Sequence, residues 1–143
     1  MERADMVAFW KRHKEMWNSG KVASEPDATG MSIIEVISRG RTSGEERTVL
    51  LSSLPLDDGW LVTASNIGDD HDPNWWRNLQ AAGLHGEVRT AHDGDRTPVD
   101  VVELHGDERQ AAWDRLVAAQ ELYAGYEQAT TRVIPVLELH PTS

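Results

Sequence analysis

The chain has 143 residues, 24 of them acidic against 14 basic, a formal charge of -10 and no cysteine. That length fits one domain with a single core, read here as residues 1–143. The composition excludes a disulfide framework and thiolate chemistry, and the acidic balance argues against a general nucleic-acid surface. No apolar run approaches the roughly 18 residues that would indicate a membrane span. The opening MERADMVAF is too charged for a signal peptide, so a cytoplasmic chain is expected.

In chain order, residues 2–18 read as an amphipathic helix. Met6, Phe9, Trp10, His13 and Trp17 recur at helical spacing, with charges on the other faces. Such a helix packs on its own domain; a flap over a ligand and a membrane-surface contact are the open alternatives. Residues 20–30 read as loop. Residues 31–38 (MSIIEVIS) are rich in β-branched side chains and predict a strand, 48–54 a second and 60–65 a third, with 55–59 (PLDDG) as a hairpin turn. Residues 66–73 form a polar loop, and 74–82 a short helix with Pro73 at its start. Strands follow at 86–91 and 97–104, then one helix over 107–122 and a closing strand over 133–139. Hairpins dominate and no repeated βαβ unit occurs, so a small antiparallel barrel or sandwich with flanking helices is expected.

Three stretches carry more chemistry than turns and helices require. The first is SRGRTSGEERT, residues 38–48, which gathers Arg39, Arg41 and Arg47 with glycines and hydroxyls in an acidic chain. Arginine forks onto paired oxygens and glycine lets backbone N–H groups approach, so this turn is either an anion cradle or a solvated hairpin paired with Glu45 and Glu46. Neither the lysine nor the glycine spacing of a nucleotide-hydrolase phosphate loop is present. The second runs from Ala64-Ser65-Asn66-Ile67-Gly68 to Pro73-Asn74-Trp75-Trp76-Arg77-Asn78. Ser65 and Asn66 suit the edge of a flat heterocycle and the tryptophans its walls, unless one tryptophan is core and Asn78 orients a loop. The third holds Tyr123 and Tyr126, three apart and so on one helical face, either as ligand contacts or as closure of the core edge. The histidines form no metal-binding pair, and Asp69-Asp70-His71-Asp72 reads as a solvated loop, so no metal is expected.

Together GRTSGEERTVLL, VTASNIGDDHDPNWWRNL and YAGYEQATTRVIPVLEL resemble the deazaflavin-dependent nitroreductase family of actinobacteria and their relatives. That family has GRKSG-x-x-R, AS-x-GG, P-x-W-x-x-NL and R-x-IP segments. The resemblance covers about residues 31–141. It implies a split β-barrel and use of reduced coenzyme F-420, an 8-hydroxy-5-deazaflavin whose tail is a phosphodiester extended by glutamates. It implies reduction of a quinone, a nitroaromatic or an activated double bond. It places Arg41, Thr42, Ser43, Gly44 and Arg47 at the tail, with Thr48, Val49 and Leu50 following in the same cofactor segment. Ala64, Ser65, Asn66, Trp75, Trp76 and Asn78 fall near the rest of the cofactor. Ser52, Tyr123 and Tyr126 fall near substrate, with Tyr126, Tyr123 or water as proton donor. The sequence departs from the family at Thr42 (usually lysine), Leu50 (commonly proline), Asn66-Ile67-Gly68 (a more basic or glycine-rich loop) and Ser52 (tyrosine in some members). The alternatives are an FMN- or haem-binding split-barrel protein, or an F-420 carrier without turnover. The expected partner is a small-molecule substrate, in a monomer or homodimer, with membrane-surface contact through the first helix as the further option.

Overall fold

The computed structural model describes residues 3–19, 30–66 and 70–142. The loop read at 20–30, except Gly30, lies outside them, as do Ile67, Gly68 and Asp69 and the side chain of Met6. The chain order is α1 (Arg3–Asn18), β1 (Ser32–Arg39), β2 (Glu46–Leu56), β3 (Gly59–Thr63), α2 (Asn74–Ala81), β4 (His85–Arg89), β5 (Thr97–Glu103), α3 (Gly106–Ala119), α4 (Leu122–Ala129) and β6 (Val136–Pro141).

The strands close into an antiparallel barrel in the order β1-β2-β3-β6-β5-β4, with β4 returning to β1 through pairs such as Glu35 with Arg89. Closure leaves the small sheet without free edges, which settles the choice between barrel and sandwich. Ile34, Val36, Val62, Val99, Val101, Leu137 and Leu139 form one buried cluster, to which α2 adds Trp75, Trp76 and Leu79. A second cluster joins Leu61, Leu104 and Val136 to Trp113 and Leu116 of α3 and Tyr123 of α4.

The turn between β2 and β3 is tighter than the composition predicts. Pro55 and Leu56 belong to β2, opposite Trp60 and Gly59, leaving Asp57 and Asp58 at the tip. β1 stops pairing with β2 at Ser53, so Pro55 sits where the strand has lost one neighbour and a missing N–H is tolerated. Gly59 has φ 127°, and a Cβ there would lie 1.9 Å from the Leu139 carbonyl oxygen, so only glycine lets β3 approach β6.

Two predicted elements are corrected. The helix expected over 107–122 ends at Ala119, and Tyr123 lies on a separate α4. Gln120 turns out of helical geometry, and its side chain accepts a bond from Leu122 N–H at 3.3 Å. The break turns Tyr123 edge-on to Trp113, with centroids 6.0 Å apart, so tertiary packing overrides helical periodicity. The closing strand begins at Val136 rather than 133, because Pro135 offers only a carbonyl, which accepts from Ala64 N–H at 3.0 Å. Upstream, Arg109 of α3 clamps the Ile134 carbonyl through Nε and Nη2 at 3.2 and 2.9 Å.

Candidate functional site

The basic stretch forms the β1–β2 connection, residues 40–45. Gly44 N–H bonds the Gly40 carbonyl at 2.8 Å, and Gly44 holds φ 72°. Beside this turn lies a cleft of about 530 Å³. Arg41, Thr42, Ser43, Arg47, Thr48 and Val49 line it from the turn and β2, and Asn74, Trp75 and Asn78 from α2. Asn78 is buried, and its Oδ1 accepts both the Arg41 backbone N–H (3.2 Å) and Arg41 Nη1 (2.8 Å). Asn74 Oδ1 takes Arg41 Nη2 at 3.4 Å. Asn78 therefore aims the Arg41 guanidinium across the cleft. Arg47 is held loosely, 3.5 Å from both Ser43 Oγ and Glu45 Oε2. The α2 N-terminus opens beside them without a side-chain cap, adding the positive end of a helix dipole.

A larger cavity, about 790 Å³, continues from the cleft, with Thr48, Val49 and Trp75 lining both. Phe9, Trp10, His13 and Lys14 of α1 cover one side, Leu50 and Ser52 of β2 another, and Ser65, Asn66, Tyr123 and Tyr126 complete the wall. The aromatic stripe of α1 thus turns onto the barrel, with Trp17 fully buried. Phe9, Trp10 and His13 are half-buried there, which is the placement of a flap over a cavity, and nothing in the fold of the described residues adds support for a membrane-surface contact. No helix among the described residues is long and apolar enough to cross a membrane.

Among the described residues no Asp or Glu lines either space, in a chain with 24 of them. The cations Lys14, Arg41 and Arg47 do. Arg132 staples the far rim: Nη2 donates to the Ala64 and Ser65 carbonyls at 2.9 and 3.0 Å, and Nη1 to Asp72 Oδ1 at 3.0 Å. Asn66 is held in the left-handed region, φ 47°, with Nδ2 donating to the His71 carbonyl at 3.0 Å. Tyr123 and Tyr126 stand edge to face, 5.9 Å apart. Burial, and then the neighbouring Tyr126, push the Tyr123 hydroxyl above the ordinary phenol range; burial pushes Tyr126 up as well. Both stay neutral at physiological pH, so each keeps an O–H that can donate a hydrogen bond.

The sequence-predicted residues thus divide. Arg41, Thr42, Ser43, Arg47, Thr48, Val49, Leu50, Ser52, Ser65, Asn66, Trp75, Asn78, Tyr123 and Tyr126 line one continuous space. Trp76 and Ala64 are core residues and line neither part, and Gly44 shapes the turn without facing the cleft. The tryptophan pair is therefore one wall and one core anchor, because adjacent helical positions point about 100° apart. Sequence reasoning missed Lys14, Ser38, Glu35 and Arg132. Glu35 had a signal, a carboxylate inside an apolar strand.

A barrel whose cation-rich cleft opens into an aromatic cavity has the charge and the shape to suit a flat ring with an anionic tail. The family model described as F-420H(2)-dependent quinone reductase matches residues 8–141, and the chain belongs to that family. A Mycobacterium tuberculosis protein provisionally named as an F-420H(2)-dependent quinone reductase is 32% identical over 103 residues, 72% of this chain and 84% of that one. A solved F-420-H2-dependent reductase, FDR-A, superposes with a TM-score of 0.64 at 32% identity, covering 76% of this chain and 93% of its own. A structure titled as a domain-swapped dimer gives a TM-score of 0.68 at 25% identity, covering 97% and 100%. HutZ, a haem-storage protein from Vibrio cholerae, shares the fold alone, at 8% identity and a TM-score of 0.57, with 94% of this chain and 91% of its own covered. The resemblance to deazaflavin-dependent split-barrel oxidoreductases holds, and the family model, the Mycobacterium tuberculosis relative and FDR-A all carry F-420 in their names.

The residues present fit that cofactor. Its ring suits the aromatic cavity and its anionic tail the cleft lined by Arg41 and Arg47. Ser38, which lines the cleft, also has a buried Oγ with no hydrogen-bond partner among the described residues.

Proposed function

We propose that this chain reduces a quinone with reduced F-420, the tail lying in the basic cleft and the ring in the cavity under α1. The observation that carries the reading is one continuous space without an acid among the described residues that line it, with Arg41 and Arg47 at one end and Trp10, Trp75, Tyr123 and Tyr126 at the other. When bound, the cofactor supplies a hydride. The chain binds and orients: Arg41, aimed by Asn78, and Arg47 pair with tail oxygens. Trp75 walls the ring, and Ser65 and Asn66 meet its polar edge. Phe9 and Trp10 exclude water from the acceptor.

The tyrosines take a narrower role than proton donor. Both hydroxyls are shifted upward, away from the range in which a general acid gives up its proton readily. They polarise the acceptor oxygen as neutral donors, and water delivers the proton. A cavity with aromatic walls and two phenolic hydroxyls suits a flat dicarbonyl, which supports a quinone over a nitroaromatic or an activated double bond.

The test is oxidation of reduced F-420, followed by deazaflavin absorbance, with a quinone, a nitroaromatic and an enone as acceptors. The expected order is quinone first. Faster turnover of either other class would overturn the substrate assignment. Tight binding without turnover of any acceptor would make the chain a carrier.

A further inference from the structure

Glu35 is 1% exposed in the middle of β1. Arg89 Nε and Nη2 donate to its Oε1 at 2.8 and 2.5 Å, and Lys14 Nζ donates to Oε2 at 3.2 Å. One buried carboxylate needs one countercharge, and Arg89, with its side chain 19% exposed, supplies it. Lys14 is surplus charge. Its side chain is 37% exposed, and Nζ also donates to Thr48 Oγ1 at 3.0 Å. An ammonium has three donors, and these bonds use two. Lys14 lines the larger cavity, while Thr48 lines both the cavity and the basic cleft. The helix α1 therefore carries a positive charge with a spare donor to the seam between the two spaces.

We propose that Lys14 is a further cofactor-binding residue, seated by Glu35 and Thr48 so that its ammonium holds the phosphodiester of F-420. This rests on the cofactor reading above. The phosphodiester is the anionic group nearest the ring, so it crosses that seam when ring and tail occupy their separate spaces. Thr42 leaves the basic turn one cation short of the lysine-bearing pattern, and Lys14 supplies a cation from a different element. Glu35 acts as the positioning residue.

The experiment titrates wild type, Lys14→Met and Lys14→Arg with F-420 and with its phosphate-free ring–ribityl fragment, following ligand fluorescence at low and high salt. Lys14→Met should weaken F-420 about tenfold at low salt, as expected for one partly exposed charge-assisted contact. It should leave the fragment unchanged and flatten the salt dependence, and Lys14→Arg should recover most of the loss. Glu35 keeps Arg89 in every variant, so melting temperatures should stay close to wild type. Equal weakening of both ligands would mean that Lys14 only holds α1 in place, and undiminished F-420 binding would mean that it touches nothing; either overturns the assignment. A wild-type chain that bound neither ligand would remove the cofactor reading itself, and the role of Lys14 with it.

Discussion

Arg132→Met tests whether the cavity rim is built by one side chain. The Arg132 side chain is 15% exposed and joins the segment before β6 to the loop after β3. Its loss leaves the Ala64 and Ser65 carbonyls without their guanidinium donor, at about 1–1.5 kcal/mol each. The pair with Asp72, whose side chain is 36% exposed, adds about 1 kcal/mol or less after solvent screening. The expected destabilisation is about 3 kcal/mol, which for a domain of this size lowers Tm by about 10 °C. Arg132→Lys keeps the charge but cannot fork across both carbonyls, so it should fall between. The assay is thermal unfolding by circular dichroism, with F-420 affinity measured well below the melt. Affinity should fall in the folded Met variant, because Ser65 and Asn66 line the cavity and lose their anchor. A Met variant melting within about 2 °C of wild type would refute the reasoning, since even one orphaned buried carbonyl costs more than that.

Trp75→Phe should abolish most cofactor-induced quenching of tryptophan fluorescence, whereas Trp76→Phe should keep it; equal quenching in both variants would remove Trp75 from the ring site. Tyr126→Phe should lower quinone turnover by less than about tenfold and leave the pH–rate profile flat through neutrality; a loss of 100-fold or more would make Tyr126 the general acid after all. Asn78→Leu should weaken F-420 binding about as much as Arg41→Ala, with the double variant adding little, in a binding titration that checks the coupling. His140 carries a pH prediction. Its Nε2 faces Glu138 Oε1 and its Nδ1 the Asp58 carbonyl, each at 3.0 Å, an arrangement only the imidazolium satisfies at both nitrogens. The Glu138 hydrogen bond, opposed by partial burial and aided by the Asp58 carbonyl, raises its pKa above the ordinary 6.5. With the folded value raised, the stabilisation is fully present below the unfolded pKa and is lost as pH rises through the folded one. The Tm difference between wild type and His140→Gln should therefore shrink from pH 6 to about pH 8.5, and a difference that grew with pH would reverse the assignment.

The runs at residues 31–38, 48–54 and 97–104 declare themselves as strands because β-branched side chains bounded by turn residues are a local property, and each lies within a residue or two of its place in the barrel. The basic turn was equally legible as a turn between two strands, while its chemistry stayed open between an anion cradle and a solvated hairpin, and Arg47 does lie beside Glu45. Composition left barrel and sandwich both open, because closure is a pairing between Glu35 and Arg89, 54 residues apart. The strand β6 starts late because Pro135 lacks an N–H, a signal the sequence did carry, whereas the last helix breaks at Gln120 where Tyr123 packs on Trp113, a contact that helical periodicity does not announce. Adjacent tryptophans read alike in a sequence, and only the docking of α2 decided that Trp75 faces the cavity and Trp76 the core. Lys14, Glu35 and Arg132 acquired their places the same way. A charged side chain in isolation reads as solvated surface, and it becomes part of a site only when burial removes water and a distant element supplies its partner.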